Sequence, residues 1–403
     1  MQTIDIDSFI RKYITKREES LFAADMKAHQ ALLRDRVAGK RVLVIGGAGT
    51  IGSSFIRALL AFEPSVLHVV DTNENGLTEL TRDLRSRAGQ YVPGVYKTYP
   101  MDFGTPFFEQ LFRAEGPYHI VANFAAHKHV RSEKDYYSIA AMLENNVFKA
   151  KRLLELLTEA KPEHFFCVST DKATNPVNVM GASKKLMEDL IMAYQDRLPI
   201  VTARFANVAF SNGSLLDGYL QRLNKKQPLS CPSDVKRFFV SPEESGQICL
   251  LACLLGTSGS IFFPKLENTE MVYFKQVTED FFNHLGIAIN YCGSEEEARQ
   301  AAKHYQAGEP YPTFFFPVST SGEKLFEEFY TKSDILDTQT YRGMGVIKAT
   351  DRKSLEEVEA TLERLSEVLQ GKHPAKAHLI HLMNQLIPTF SHRETGKNLD
   401  QVM

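Results

Sequence analysis

The chain has 403 residues, 43% of them hydrophobic and 24% charged. At roughly 150 residues per domain this allows two to three domains and excludes both a mini-protein scaffold and a globally disordered chain. With 47 Lys and Arg against 49 Asp and Glu, the net charge is −2 at pH 7, too little for a strong non-specific grip on nucleic acid or an anionic membrane.

Residues 1–40 are charge-rich and carry helical spacing around Phe9 and Tyr13 and again around Phe22 and Met26. They predict an N-terminal helical extension and do not read as a signal peptide. From Arg41 the text changes. The apolar run Val42–Ile45 breaks into Gly46-Gly47-Ala48-Gly49-Thr50-Ile51-Gly52 and then into a helical pattern through Leu60, a strand, a glycine turn and a helix. Further strands are predicted at Val66–Val70, ending in Asp71, and at His119–Phe124, Phe165–Val168 and Ile200–Arg204, with helices between them. Short apolar runs alternating with helices indicate parallel strands buried on both faces, so the expected fold class is α/β, a doubly wound parallel sheet.

After about residue 210 the pattern becomes irregular, with short apolar pieces, several prolines and a helix over Glu243–Leu255. The run Ile248–Leu255 within it is the longest clean apolar stretch, far short of the ~20 residues of a membrane span. Near the end, Ser354-Leu355-Glu356-Glu357 fits a capping box ahead of Val358, Leu362, Leu365 and Leu369, and a second helix over Ala375–Leu386 stops before Pro388. These helices are expected to dock on the main body or to form a subunit contact. Five cysteines, Cys167, Cys231, Cys249, Cys253 and Cys292, show no CxxC spacing and indicate buried thiols rather than a disulfide framework or zinc site.

Gly46, Gly49 and Gly52 form GxxGxxG between a strand and a helix, nineteen positions before Asp71. Such glycines let the backbone approach a pyrophosphate at a helix N-terminus, and an acid at the end of the next strand suits an adenosine ribose diol. Dinucleotide binding follows, with NAD favoured over NADP because Asp71 would repel a ribose 2′-phosphate. The residues assigned to the cofactor are Gly46, Gly49, Thr50, Ile51, Gly52, Asp71, Asp102, Ala125, Ala126 and Lys184.

Several motifs in order carry a resemblance: the glycine loop, Ala125-Ala126-His127-Lys128-His129-Val130, Asn146, Ser169-Thr170-Asp171-Lys172, Asn175-Pro176-Val177-Asn178, Lys184, Arg204 with Asn207-Val208, Gly213-Ser214, Arg237-Phe238-Phe239, and Gly322-Glu323-Lys324-Leu325. Over about residues 40–330 the chain resembles the extended short-chain dehydrogenase/reductases. More narrowly it is similar to the bacterial polysaccharide-biosynthesis branch with the UDP-N-acetylglucosamine 4,6-dehydratases. The resemblance implies a Rossmann-type NAD-binding domain at 41–210, a mainly nucleotide-sugar-binding region at 211–330, and a C-terminal helical extension at 331–403. It implies NAD-dependent removal of water from a nucleoside diphosphate N-acetylhexosamine to give the 4-keto-6-deoxy sugar, in a cytoplasmic homodimer or higher homo-oligomer. Pairing would run through helices near Asn146–Glu159 and Lys184–Tyr194, with no nucleic acid or membrane partner.

The family generally places a tyrosine four residues before its lysine; this chain has Met180 before Lys184. A thioether cannot exchange a proton, and the resemblance includes a subgroup, retaining configuration at carbon 5, that also carries methionine here. Asp171 is then implied as the acid at carbon 6, Lys172 as the base at carbon 5, and Thr170 as the ligand of the carbon 4 hydroxyl. For these roles Asp171 must be protonated and Lys172 neutral, forms that burial favours. Without a tyrosine, the carbon 4 hydroxyl proton is left to Asp171, Lys172 or an ordered water. Lys184 would bind the nicotinamide ribose. Lys128, Asn207, Ser214, Arg237 and Glu323 are the other substrate-binding candidates, with Lys128, Lys172, Lys184 and Arg237 expected to make the pocket locally basic. No metal is expected, since His127 and His129 lack a third ligand at suitable spacing. Two other functions stay open: a nucleotide-sugar 4-epimerase, and a non-catalytic dinucleotide-sensing protein in which Met180 marks lost chemistry.

Overall fold

The computed structural model describes residues 4–317, 327–349, 352–371 and 375–392. The apolar run at Val42 lies in strand β1 (Arg41–Ile45), which turns through the glycines into helix α1 (Thr50–Leu60). Strands β2 (Val66–Asp71), β3 (Val95–Pro100) and β4 (Ile120–Asn123) follow, then helices α2 (Tyr136–Leu143) and α3 (Lys149–Glu159). Next come β5 (His164–Val168), α4 (Val179–Ala193), β6 (Ile200–Ala203), α5 (Pro242–Leu255) and β7 (Ser260–Pro264). Strands β8 (Ile335–Asp337) and β9 (Met344–Ala349) precede helices α6 (Leu355–Leu369) and α7 (Lys376–Leu386).

These strands form one nine-stranded sheet in the order β8-β9-β7-β6-β5-β4-β1-β2-β3. Strands β1 to β7 run parallel, with β4 and β6 buried throughout and β5 buried after His164. The chain moves outward from β1 to β3 and returns on the other side of β1 as β4. That reversal opens a crevice at the carboxyl ends of β1 and β4, where ligands bind in such sheets.

Two features depart from the sequence reading. Strand β3 lies at the sheet edge with alternating exposure, so it carries none of the apolar run that marks its neighbours. The stretch 331–403, expected to be helical, also supplies β8 and β9, the antiparallel edge beside β7.

Residues from 209–239 and 272–311 build a second core around Tyr219, Phe281, Phe282 and Tyr311, while α5 and β7 between them pack in the main core. A three-stranded parallel sheet of Leu229–Pro232, Ile289–Cys292 and Tyr311–Phe316 accompanies it. The N-terminal segment ties the two cores together, with Phe9, Ile10 and Ile14 in the second and Phe22, Leu33 and Val37 in the main one. Arg17 is 2.9 Å from Glu244 and 3.1 Å from Glu270, while the Asp25 carboxylate accepts from Arg342 N and Gly343 N at 2.8 and 2.7 Å. All five cysteines are buried and free. Among the described residues no helix is long and apolar enough to cross a membrane.

The predicted capping box forms at Ser354 and Glu357. Val358, Leu362 and Leu365 of α6 and Leu379 and Met383 of α7 are buried in the main core. Helix α6 packs on α4 and α7 on α2, with Lys353 Nζ 3.1 Å from Asp189 of α4 and Tyr136 Oη donating to Leu369 O at 2.7 Å. The C-terminal helices thus cover part of the surface through which two copies were expected to pair. Deleting residues 354–403 should expose this apolar face and make the shortened protein self-associate in analytical ultracentrifugation; an unchanged molecular mass and stability would contradict the packing argument.

Candidate active site

The crevice at the sheet reversal is a cleft of about 300 Å³ whose walls include Gly46, Ala48, Gly49, Thr50, Ile51, Gly52, Asp71, Asp102, Ala125, Ala126 and Lys128. All the residues assigned to the cofactor therefore line it except Lys184. Gly46 has φ +76, and a Cβ on Gly52 would stand 2.3 Å from Gly46 O, so side chains here would break the turn that aims the first N–H groups of α1 into the cleft. Asp71 accepts from Ala48 N at 3.0 Å and from Asn73 N at 2.9 Å, bracing the glycine loop from the end of β2. Asp102 is bonded to Lys149 of α3 and accepts from Gly104 N at 2.8 Å. Burial works to raise its pKa, yet these partners hold it below the ordinary value. Lys149 was not foreseen, because no motif marks it and only the fold brings α3 to the end of β3.

Thr50 Oγ1 accepts from Asn212 N at 2.9 Å and Lys128 Nζ donates to Asn212 O at 2.9 Å, so the loop before Ser214 is fastened across the cleft rim. Ser214 itself caps the helix Leu215–Lys225, accepting from Asp217 N. His127 is held through its backbone by Asn146, whose amide also donates to Ser183 Oγ at 3.0 Å. Among the described residues no group of three or more His, Cys, Asp or Glu side chains could hold a metal.

Beyond the cleft, β5 ends at Val168 and the chain passes through Thr170 into a short turn, Asp171–Ala173. Thr170 Oγ1 donates to Asp171 Oδ1 at 2.8 Å. Lys172 Nζ lies 3.1 Å from the same oxygen, 3.4 Å from Asn207 Oδ1 and 3.6 Å from Glu327 Oε1. Arg237 Nη2 is 3.9 Å from that Glu327 oxygen. The structure therefore brings Thr170, Asp171, Lys172, Asn207 and Arg237 together and adds Glu327, which the sequence reading missed. Glu323 lies outside the described residues.

The electrostatics differ from expectation. Burial alone would lower the Lys172 pKa, but Asp171 and then Glu327 outweigh it and the opposing Arg237, raising it above the ordinary lysine value. At rest Lys172 is an ammonium. Of the four residues expected to make the pocket basic, Lys172 and Arg237 face the carboxylates of Asp171 and Glu327.

Helix α4 starts at the Asn178 cap, which accepts from Gly181 N at 2.7 Å. A Cβ on Gly181 would meet Lys172 O at 2.6 Å, so glycine is what allows the helix to press against the Asp171–Ala173 turn. Met180 and Lys184, one helical turn apart, are both buried. Lys184 Nζ donates to Val168 O at 2.8 Å, and burial lowers its pKa.

Behind this surface Arg204 and Glu188 form a buried ion pair, with Arg204 Nε 3.0 Å from Glu188 Oε2. The same oxygen accepts from Ser169 Oγ at 2.8 Å, and Arg204 Nη1 donates to Phe329 O at 2.9 Å. Burial would raise the Glu188 pKa, but Arg204 outweighs it and holds the carboxyl at about 2.

Residues 42–349 match the family described as polysaccharide biosynthesis protein. The chain belongs to that family. Its members here are the polysaccharide-biosynthesis branch of the extended short-chain dehydrogenase/reductases. An uncharacterized membrane protein of Methanocaldococcus jannaschii is 30% identical, over 76% of this chain and 85% of that protein. The probable polysaccharide biosynthesis protein EpsC of Bacillus subtilis is 27% identical over 83% of this chain, which spans 52% of that relative's length. A UDP-N-acetylglucosamine 4,6-dehydratase (inverting) of Campylobacter jejuni is 24% identical, covering 62% of this chain and 74% of its own. A UDP-glucose 4-epimerase of Rickettsia bellii is 26% identical, covering 66% and 77%. Among solved structures, Pen from Bacillus thuringiensis shares the fold with a TM-score of 0.62 at 20% identity, covering 81% of this chain and 98% of Pen. DesIV, a dTDP-glucose 4,6-dehydratase from Streptomyces venezuelae with NAD bound, gives 0.52 at 21%, covering 61% and 81%.

Because the family member's site hangs on the Glu188–Arg204 pair, Glu188→Gln should cost about 3–5 kcal/mol by leaving a buried guanidinium uncompensated, read as a lower denaturation midpoint in urea. The depressed carboxyl contributes stability above its ordinary value of 4.5, and that contribution is lost as pH falls toward about 2. A Glu188→Gln variant as stable as the parent at pH 7 would contradict this.

Proposed function

We propose that the protein is an NAD-dependent nucleotide-sugar 4,6-dehydratase of polysaccharide biosynthesis, acting on a nucleoside diphosphate N-acetylhexosamine, with UDP-N-acetylglucosamine as the first substrate to test. The observation that carries the reading is the Asp171–Lys172 contact at the end of β5, beside Thr170 and Asn207. The glycine cradle of the cleft fits a dinucleotide, with its pyrophosphate at the start of α1 and its adenosine ribose at Asp71. NAD supplies the acceptor for a hydride from carbon 4 and its donor to carbon 6.

The chain's own residues move the protons. One proton passing across the 3.1 Å contact from Lys172 Nζ to Asp171 Oδ1 converts the resting ion pair into an amine and a carboxylic acid. The carbon 4 hydroxyl proton leaves to an ordered water as the hydride departs. The amine then takes the carbon 5 proton, made acidic by the adjacent ketone, while the Asp171 acid delivers its proton to the departing carbon 6 hydroxyl. As carbon 6 receives the hydride, Lys172 returns a proton to carbon 5, and a proton from water restores the resting ion pair. Thr170 binds the carbon 4 hydroxyl and Lys184 the nicotinamide ribose, where its charge assists hydride loss from the sugar. Lys128, Asn207, Ser214 and Arg237 are proposed to hold the substrate, with Arg237 suited to a bidentate grip on its diphosphate.

An epimerase returns hydride to carbon 4 and has no use for an acid at carbon 6, which the adjacent Asp171 and Lys172 offer. Purified protein incubated with UDP-N-acetylglucosamine should yield a product lighter by one water in mass spectrometry. Lys172→Ala should lower turnover by about 10²–10⁴-fold while cofactor binding persists. A product of unchanged mass with inverted carbon 4 would replace this reading with epimerisation, and an indifferent Lys172→Ala would favour a sensor.

A further inference from the structure

Glu327 has no part in the proton transfers above, yet it is 4% exposed and stands between two cations. Its Oε1 is 3.6 Å from Lys172 Nζ and 3.9 Å from Arg237 Nη2. The segment that carries it is fixed on the far side, where Phe329 O accepts from Arg204 Nη1 at 2.9 Å and Glu328 Oε2 accepts from Asn175 Nδ2 at 3.0 Å. A carboxylate held this firmly against two cations has a defined place in the site.

We propose that Glu327 is a positioning residue, a shared counter-ion that holds Lys172 and Arg237 together at the substrate end of the site until the diphosphate of the nucleotide sugar takes over Arg237. This rests on the dehydratase reading for the roles of Lys172 and Arg237. The charged groups facing Lys172 are Asp171 from its own turn, Glu327 from the segment after residue 326, and Arg237 from the strand pairing with Val272–Tyr273. Asp171 and Glu327 favour the ammonium; Arg237 and burial oppose it.

Two consequences follow from charge alone. Glu327 and a diphosphate compete for one guanidinium, so removing the carboxylate's charge should tighten anion binding. The Asp171–Lys172 pair works with one shared proton, and Glu327 helps retain it; without that charge the proton leaves at lower pH. A purely structural role would instead weaken ligand binding and thermal stability together.

The test uses the NAD-loaded full chain, with UDP as the probe in isothermal titration calorimetry and a pH profile of kcat with UDP-N-acetylglucosamine. Glu327→Gln should bind UDP several-fold more tightly, and the alkaline limb of its profile should move to lower pH by about one unit. Glu327→Asp, which keeps the charge, should lie close to the parent in both. A Glu327→Gln variant that binds UDP no more tightly than the parent, or whose alkaline limb stays in place, overturns the proposal. If the parent converts no nucleotide hexosamine, the dehydratase reading fails on its own, and the UDP titration still decides the counter-ion role.

Discussion

A single buried ion pair joins the elements that carry the proposed catalytic groups. Glu188 sits on α4, the helix of Met180 and Lys184; Arg204 directly follows β6; Ser169, which donates to Glu188, immediately precedes Thr170; and Phe329, which accepts from Arg204, lies two residues past Glu327. Removing such charges from water is costly, and the cost is offset only when their hydrogen-bonding capacity is satisfied. Here the carboxylate takes Arg204 and Ser169 while the guanidinium takes Glu188 and a backbone carbonyl. The result fixes the spacing of side chains that come from distant parts of the sequence.

In front of that pair, Lys172 is governed by competition. Burial works against its charge and two carboxylates work for it, and the carboxylates prevail. A lysine in this state is a poor base until its proton has somewhere to go, and Asp171 at 3.1 Å provides the place. The buried thioether of Met180 cannot take that part, so in the proposed dehydration the proton chemistry falls to the adjacent acid and amine.

Much of this was legible from residue order. The glycine loop and Asp71 follow from local backbone demands, and the central parallel strands announce themselves as apolar runs because both their faces are covered. Strand β3 escaped notice because an edge strand with alternating exposure looks like a polar loop. Strands β8 and β9 escaped because their pairing with β7 is a long-range event in an irregular stretch. The roles proposed for Thr170, Asp171, Lys172 and Lys184 come from motif resemblance, but the charge state of Lys172 does not. It depends on Glu327, some 150 residues away in sequence, and only the fold makes them neighbours. Lys149 beside Asp102 was hidden for the same reason. The acidic pair Glu327-Glu328, one residue beyond the Gly322–Leu325 motif, was the one local sign available.

The central claim is that Asp171 and Lys172 exchange protons with carbons 5 and 6 of a nucleotide sugar. The most direct measurement is NMR of the product formed from UDP-N-acetylglucosamine in deuterated water. The account predicts a 4-keto sugar whose carbon 6 has become a methyl group and whose carbon 5 carries solvent deuterium. A product that keeps its carbon 6 hydroxyl and acquires no deuterium at carbon 5 would contradict it.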